Sequence, residues 1–166
     1  MRIEHVPPNI ELGVTASRKG ISSHQANSFR GFLRINFIPI IFHNGCCVGG
    51  DEKTLKIVLG MYPDTKIYYH PPLNKTLVFK YETRKIDVVF PEKDYLDRNK
   101  CIVDSCKHLV CFPELNNETQ RSGTWSTIRY ARKVRRNHTI FYPDGSVEHV
   151  HGNIGLSMIY KNSLSF

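Results

Sequence analysis

Between Arg121 and Ala131 the chain reads Arg-Ser-Gly-Thr-Trp-Ser-Thr-Ile-Arg-Tyr-Ala, and the apolar run His108-Leu109-Val110-Cys111-Phe112-Pro113 precedes it. The pattern is that of a strand, a hydroxyl-rich loop and a helix start. Gly123 lets backbone approach a ligand closely, Ser122 or Thr124 can cap the first turn, and the unpaired N–H groups of a helix start attract anions. A phosphate suits such a place. An ordinary N-cap opening a packed helix has the same appearance, because Ser-Gly-Thr loops are common.

Other stretches carry reactive side chains in similar company. The segment His43-Asn44-Gly45-Cys46-Cys47-Val48-Gly49-Gly50-Asp51 joins glycines to an imidazole, two thiols and a carboxylate, and His70-Pro71-Pro72 adds a second imidazole in a rigid turn. Asp51 is the best placed general acid or base, with Glu114 and Glu118 behind it, although an Asp at a helix start is also a plain cap. A nucleophilic Cys46 or Cys47, with His43 or His70 as base, is an alternative chemistry, since glycine loops at helix starts lower a thiol's pKa. Structural zinc requires ligands in recognisable pairs, and neither Cys-x-x-Cys nor His-Glu-x-x-His occurs. No metal and no cofactor is therefore expected, and Cys101, Cys106 and Cys111 read as buried thiols.

These stretches follow apolar runs that must position them. Ile10 to Thr15 predicts a first buried strand, and Ser22 or Ser23 a cap for a helix running to about Leu33, with Phe29, Phe32 and Leu33 turned inward. Phe37 to Phe42 predicts a second strand, Leu55, Val58, Leu59 and Tyr62 a helix face, and Lys66 to Tyr69 a third strand. Thr76 to Phe79 and Ile86 to Phe90 fit either strands or a cover over the site. A helix is expected from about Asp94 to Cys106 with Leu96, Ile102, Val103 and Cys106 inward. Thr139 to Tyr142 predicts a fifth core strand, stopped by a turn at Pro143 to Ser146, and the tail from Val147 an edge strand. Strands alternating with helices at this spacing predict an α/β fold: a doubly wound, mostly parallel sheet with helices on both faces, whose ligand sites lie beyond the strands' carboxyl ends. All the unusual loops fall at those ends.

At 166 residues, 40% apolar and 23% charged, the chain has the size and composition of one globular domain, with its core at about residues 10–145 and a tail at 146–166. No window approaches a membrane span, the first residues lack an apolar secretory core, and the five cysteines have no framework spacing, so an intracellular, reducing compartment is expected. The balance of 23 basic against 15 acidic residues gives a net charge of +8, which favours acidic partners. Arg129, Arg132, Lys133, Arg135 and Arg136 supply much of it from one predicted helix, whose simplest role is a solvated face.

The loops together resemble those of the Rossmann-like SLOG superfamily, which includes the DprA-type and LOG proteins, and especially its small single-domain members. Thr15-Ala16-Ser17-Arg18 is similar to a Thr-Gly-Thr-Arg turn, with Ala16 in place of glycine. His43, Gly45, Cys47, Gly49 and Asp51 match a His-x-Gly-x-Cys-x-Gly-x-Asp pattern, and Tyr95-Leu96-Asp97-Arg98-Asn99 a Tyr-Leu-x-Arg-Asn helix start. His70-Pro71-Pro72 and the Ser-Gly-Thr-Trp-x-Thr loop complete the set. The resemblance implies a nucleotide-like ligand held by Thr15, Ser17, Arg18, His43, Gly45, Gly49, His70, Pro71, Arg98, Asn99, Pro113, Ser122, Gly123, Thr124 and Thr127, such as a signal sensed or sequestered in stress or antiviral signalling. LOG-type enzymes carry a catalytic glutamate after the phosphate loop; here Trp125-Ser126-Thr127 follows. N-glycosidic hydrolysis or transfer, with Asp51 in the catalytic role, is thus the alternative, and DprA-like binding of single-stranded DNA a weaker one, since no aromatic stacking stripe is visible. Self-association stays open.

Overall fold

The computed structural model describes residues 6–79, 86–153 and 156–160. In chain order they form β1 (Asn9–Ala16), α1 (Ser23–Asn36), β2 (Ile38–Asn44), α2 (Gly50–Met61), β3 (Lys66–Tyr69), β4 (Val88–Val89), α3 (Tyr95–Ser105), β5 (His108–Phe112), α4 (Gly123–Lys133), β6 (His138–Phe141), β7 (Val147–His151) and β8 (Leu156–Tyr160). A single sheet takes the strands in the order β4-β3-β2-β1-β5-β6-β7-β8. The pairs from β4 through β6 are parallel, and β7 and β8 run antiparallel at one edge. This is the doubly wound α/β fold that the alternation of elements predicts.

Alternating side chains along the central strands explain why both faces are covered. Leu12 and Val14 of β1 and Val110 and Phe112 of β5 pack with Phe29, Phe32, Leu33, Leu55 and Val58 of α1 and α2. Leu109 and Cys111 of β5 face the other way, against Ile102 and Val103 of α3 and Trp125, Ile128 and Ala131 of α4. Burying each such large apolar side chain contributes about 1.5–3 kcal/mol. Phe29 touches Phe112 and Phe141 edge-on at 5.0 and 5.5 Å, while those two rings stack at 4.9 Å. Gly13 lets α3 lie close to the sheet: a Cβ there would stand 2.8 Å from Cys106 Sγ and 2.9 Å from Ile102 Cγ2.

Helix α1 opens with a capping box, Ser22 accepting from the Gln25 N–H and Gln25 accepting from the Ser22 N–H. The amide nitrogen of Gln25 also donates to the carbonyls of Pro113 and Phe141, at 2.9 and 2.8 Å, tying α1 to the carboxyl ends of β5 and β6.

Of the two alternatives for Thr76 to Phe79, the cover is found: Val48 N–H donates to the Leu77 carbonyl and Phe79 N–H to the Cys46 carbonyl, so the segment lies over the Cys46-Cys47 turn with a single bridge. Several other expectations are corrected. Ile86 to Phe90 contributes only the two residues of β4. Leu96 is 53% exposed, and Arg98 takes the inward position instead. Helix α4 ends at Lys133, so Arg135 and Arg136 lie beyond it, with Arg135 at φ 55. The tail adds two strands rather than one, and the expected fifth core strand is β6, because β4 precedes it.

Candidate functional site

The order of strands reverses between β1 and β5, whose helices α1 and α4 leave on opposite faces. The loops beyond these strands therefore part, and such a parting is where ligands bind in open α/β sheets. Here it forms a cleft of about 550 Å³ lined by Thr15, Ala16, Ser17, Arg18, Lys19, Glu114, Thr119, Arg121, Ser122, Gly123 and Thr124.

One wall is built around Ser17. Its N–H donates to the Phe112 carbonyl at 3.0 Å, its carbonyl accepts from Gly20 and Gly50, and its hydroxyl accepts from the Lys19 N–H. Gly49 and Gly50 are required beneath this wall. Gly49 has φ +93, and a Cβ there would stand 2.0 Å from the Arg18 carbonyl oxygen; one on Gly50 would meet Ala16 Cβ at 2.4 Å. The N-terminus of α2 is thus spent on protein backbone, while that of α4 is open.

At α4 the Ser122 hydroxyl accepts from the Trp125 N–H at 3.2 Å and the Ser122 carbonyl from Ser126, while Thr127 Oγ1 donates to the Gly123 carbonyl. The Gly123 and Thr124 N–H groups have no acceptor among the described residues and face the cleft, and nothing stands within 4 Å of where a Gly123 Cβ would lie. The opposite wall is held by cations. Arg129 donates to the carbonyls of Thr119 and Gln120, and Arg129 and Arg132 both bind Glu118 at 3.0 Å. The basic face of α4 therefore braces the cleft loop. Lys19 pairs with Glu114 at 2.7 Å.

A second constellation lies behind the cleft. His43 and His70 are 2% and 1% exposed and Arg98 is 4% exposed. His43 Nδ1 and His70 Nε2 are 2.9 Å apart, Phe90 stacks on the His70 ring at 4.0 Å, and Arg98 donates to the His70 carbonyl at 3.3 Å and to Cys47 Sγ at 3.4 Å. Burial holds both imidazoles neutral, His43 down to about 4 and His70 to about 3, with His43 and Arg98 adding to the effect on His70. Gly45 makes room for the guanidinium, since a Cβ on it would fall on Arg98 Nη1 and 2.8 Å from Asp51 Oδ2. Burial pushes the Asp51 carboxyl up, against the pull of Arg98 and of the Cys47 N–H that it accepts. Burial and the Asp51 charge likewise push the Cys46 and Cys47 thiols up, the opposite of what an activated nucleophile needs.

Of the residues singled out in the sequence, the cleft gathers Thr15, Ser17, Arg18, Ser122, Gly123 and Thr124. Thr127 and Gly49 support its walls, and Pro113 is held from behind by Gln25. His43, Gly45, Asp51, His70, Pro71 and Arg98 are buried, and Asn99 is half-buried; none of these lines the cleft. Lys19, Thr119 and Arg121 line it without having been expected. Their signal in sequence is only proximity to the glycine loops. Tyr95 was noted as part of a motif, but its contacts, with Arg18 at 4.3 Å and Arg98 at 5.6 Å from the ring centroid, are visible only in three dimensions. Among the described residues no group of three or more His, Cys, Asp or Glu could hold a metal ion, and no helix is long and apolar enough to cross a membrane.

No protein-family model matches the chain, and no curated protein sequence does. Among solved structures it is similar to DNA processing protein A from Helicobacter pylori, described for its unique single-stranded DNA binding mode. The two share 17% identity at a TM-score of 0.48; the match covers 78% of this chain and 63% of the other, less than two thirds of its length.

Proposed function

We propose that the cleft binds a nucleotide or a nucleotide-derived small molecule, with a phosphate on the Gly123-Thr124 turn. The observation that carries this reading is the open start of α4: two N–H groups without protein acceptors face a cleft whose rim holds Arg18 and Arg121. A phosphate satisfies such N–H groups and is favoured by the helix dipole, and guanidinium holds it with parallel hydrogen bonds. In this reading His43, Gly45, Asp51, His70 and Arg98 serve the site from behind by fixing the loops that carry Arg18 and Gly49. The motifs that resemble those of the SLOG superfamily fall at strand carboxyl ends, on the loops that follow them or at helix starts, beside the cleft or beneath it, which supports membership as a small, single-domain relative. A role in sensing or sequestering a signalling nucleotide fits a pocket of this kind.

A binder is favoured over an enzyme because the carboxylates near the cleft are engaged. Asp51 is buried outside the lining, and Glu114 is paired with Lys19. Nucleic acid is the weaker alternative, since a strand needs a row of exposed rings and among the described residues no Phe, Tyr or Trp side chain is exposed; a half-buried ring such as Tyr95 can take one base but does not make a stripe. Calorimetry against a panel of nucleoside mono- and diphosphates, ADP-ribose-like and cyclic species tests the proposal. Micromolar or tighter binding of at least one member is expected, with loss on Arg121→Glu; silence across the panel overturns it.

A further inference from the structure

We infer that Tyr95 is the surface on which the ring of the bound nucleotide stacks, and that Arg18 covers this surface until a phosphate draws it away; the inference rests on the reading of the cleft just given. Arg18 is exposed and lines the cleft, yet its guanidinium carbon lies 4.3 Å from the centroid of the Tyr95 ring. The Tyr95 hydroxyl donates to the Asn74 carbonyl at 2.9 Å, so the ring is tethered at its far edge. The buried Arg98 guanidinium stands 5.6 Å from the same centroid. A ring face that accepts a planar guanidinium also accepts a planar base.

The backbone of Arg18 cannot follow its side chain. Gly49 sits directly beneath the Arg18 carbonyl, and the Gly50 N–H holds the neighbouring Ser17 carbonyl at 2.9 Å. Only the side chain is free to swing. A phosphate at the start of α4 offers Arg18 two parallel charge-assisted hydrogen bonds, a stronger partner than an exposed ring. Departure of the guanidinium then leaves Tyr95 open to whatever ring the phosphate carries. The ligand class is accordingly a flat aromatic base joined to a phosphate by a short spacer. Stacking does not read base edges, so purines and pyrimidines are both accepted, and purines more tightly for their larger face.

The test is calorimetry with AMP, ribose 5-phosphate and adenosine on the full chain, Tyr95→Phe, Tyr95→Leu and Arg18→Ala. AMP is expected to bind the parent and Tyr95→Phe about tenfold or more tighter than ribose 5-phosphate, a ratio that falls towards one in Tyr95→Leu. Arg18→Ala should weaken AMP and strengthen adenosine, because the competitor for the ring has gone; this arm decides the matter if Tyr95→Leu does not fold. Equal affinities of AMP and ribose 5-phosphate for the parent, a ratio untouched by Tyr95→Leu, or adenosine no tighter in Arg18→Ala overturns the inference while leaving an anion site in place. Silence from both phosphates overturns the site and the inference together.

Discussion

Gly45 is the residue on which the buried half of the site depends. Its missing side chain is filled by Arg98, whose guanidinium holds the His70 carbonyl, and that contact in turn fixes the turn at Pro71. Gly45→Ala forces Arg98 off this carbonyl, and overpacking of this kind costs roughly 1–3 kcal/mol. Urea denaturation should show the loss, and unchanged stability would mean that Arg98 has another place to go. The imidazoles beside it set an acid limit. In the unfolded chain His43 and His70 take up protons near 6.5, but in the fold only near about 4 and about 3, and His108 behaves as they do, at about 3. The unfolded state then binds more protons between these values, so stability falls as pH drops from 6.5 through about 4 and is unaffected by these groups above 6.5. The slope is at most about 1.4 kcal/mol per pH unit for each ring. Denaturation midpoints at pH 7, 6 and 5 should follow this course, and His70→Gln should make it shallower.

Among elements, the strands and helices with a clean apolar period were legible, and those whose order depends on distant partners were not. The Lys66–Tyr69 strand and the helix face of Leu55 and Val58 follow directly from hydrophobic spacing, because burial on one or two faces imposes it. Thr76 to Phe79 has the same apolar look, yet among the described residues its strand-like pairing is one bridge, Val78 to Cys47, and a single bridge is not a ladder. Leu96 misled for a related reason: the helix turns Arg98 inward to meet Gly45, a demand that no periodicity encodes. The helix start at Ser122 was legible because a capping residue acts locally, whereas Lys19 is held at the cleft by Glu114, 95 residues further along the chain, a pairing that no local pattern encodes. Gln25 is the clearest hidden member. It satisfies two carbonyls at the ends of β5 and β6, and Gln25→Ala strands both, at a cost of roughly 1–3 kcal/mol. Hydrogen exchange should report faster opening of the loop after Phe112 in that variant; protection equal to the parent would assign the loop's order to its other ties, from Lys19, Arg129, Arg132 and Asp144.

For the whole molecule, the separation of the cleft from Asp51 is what the proposed preference for binding over turnover rests on. Positioned acid or base help is worth about 100- to 10,000-fold, and the described structure keeps its best placed carboxylate behind the wall rather than in the lining. Incubation with AMP, with base release followed by chromatography, is expected to show turnover far below about 1 per second; faster release, abolished by Asp51→Asn, would make the chain an enzyme. The sheet that forms the cleft also imposes an order of assembly. β1 pairs on one side with β2, which follows soon after it, and on the other with β5, where Leu12 meets His108. During synthesis at about 5–20 residues per second, β1 waits several seconds or more for that second neighbour. For that interval an apolar strand has one bare edge, and the cleft has only one wall. The nascent chain is therefore most exposed to mispairing and to chaperone capture while residues 17–107 emerge, and the wall that carries Gly123 and Thr124 is complete only after α4 has left the ribosome.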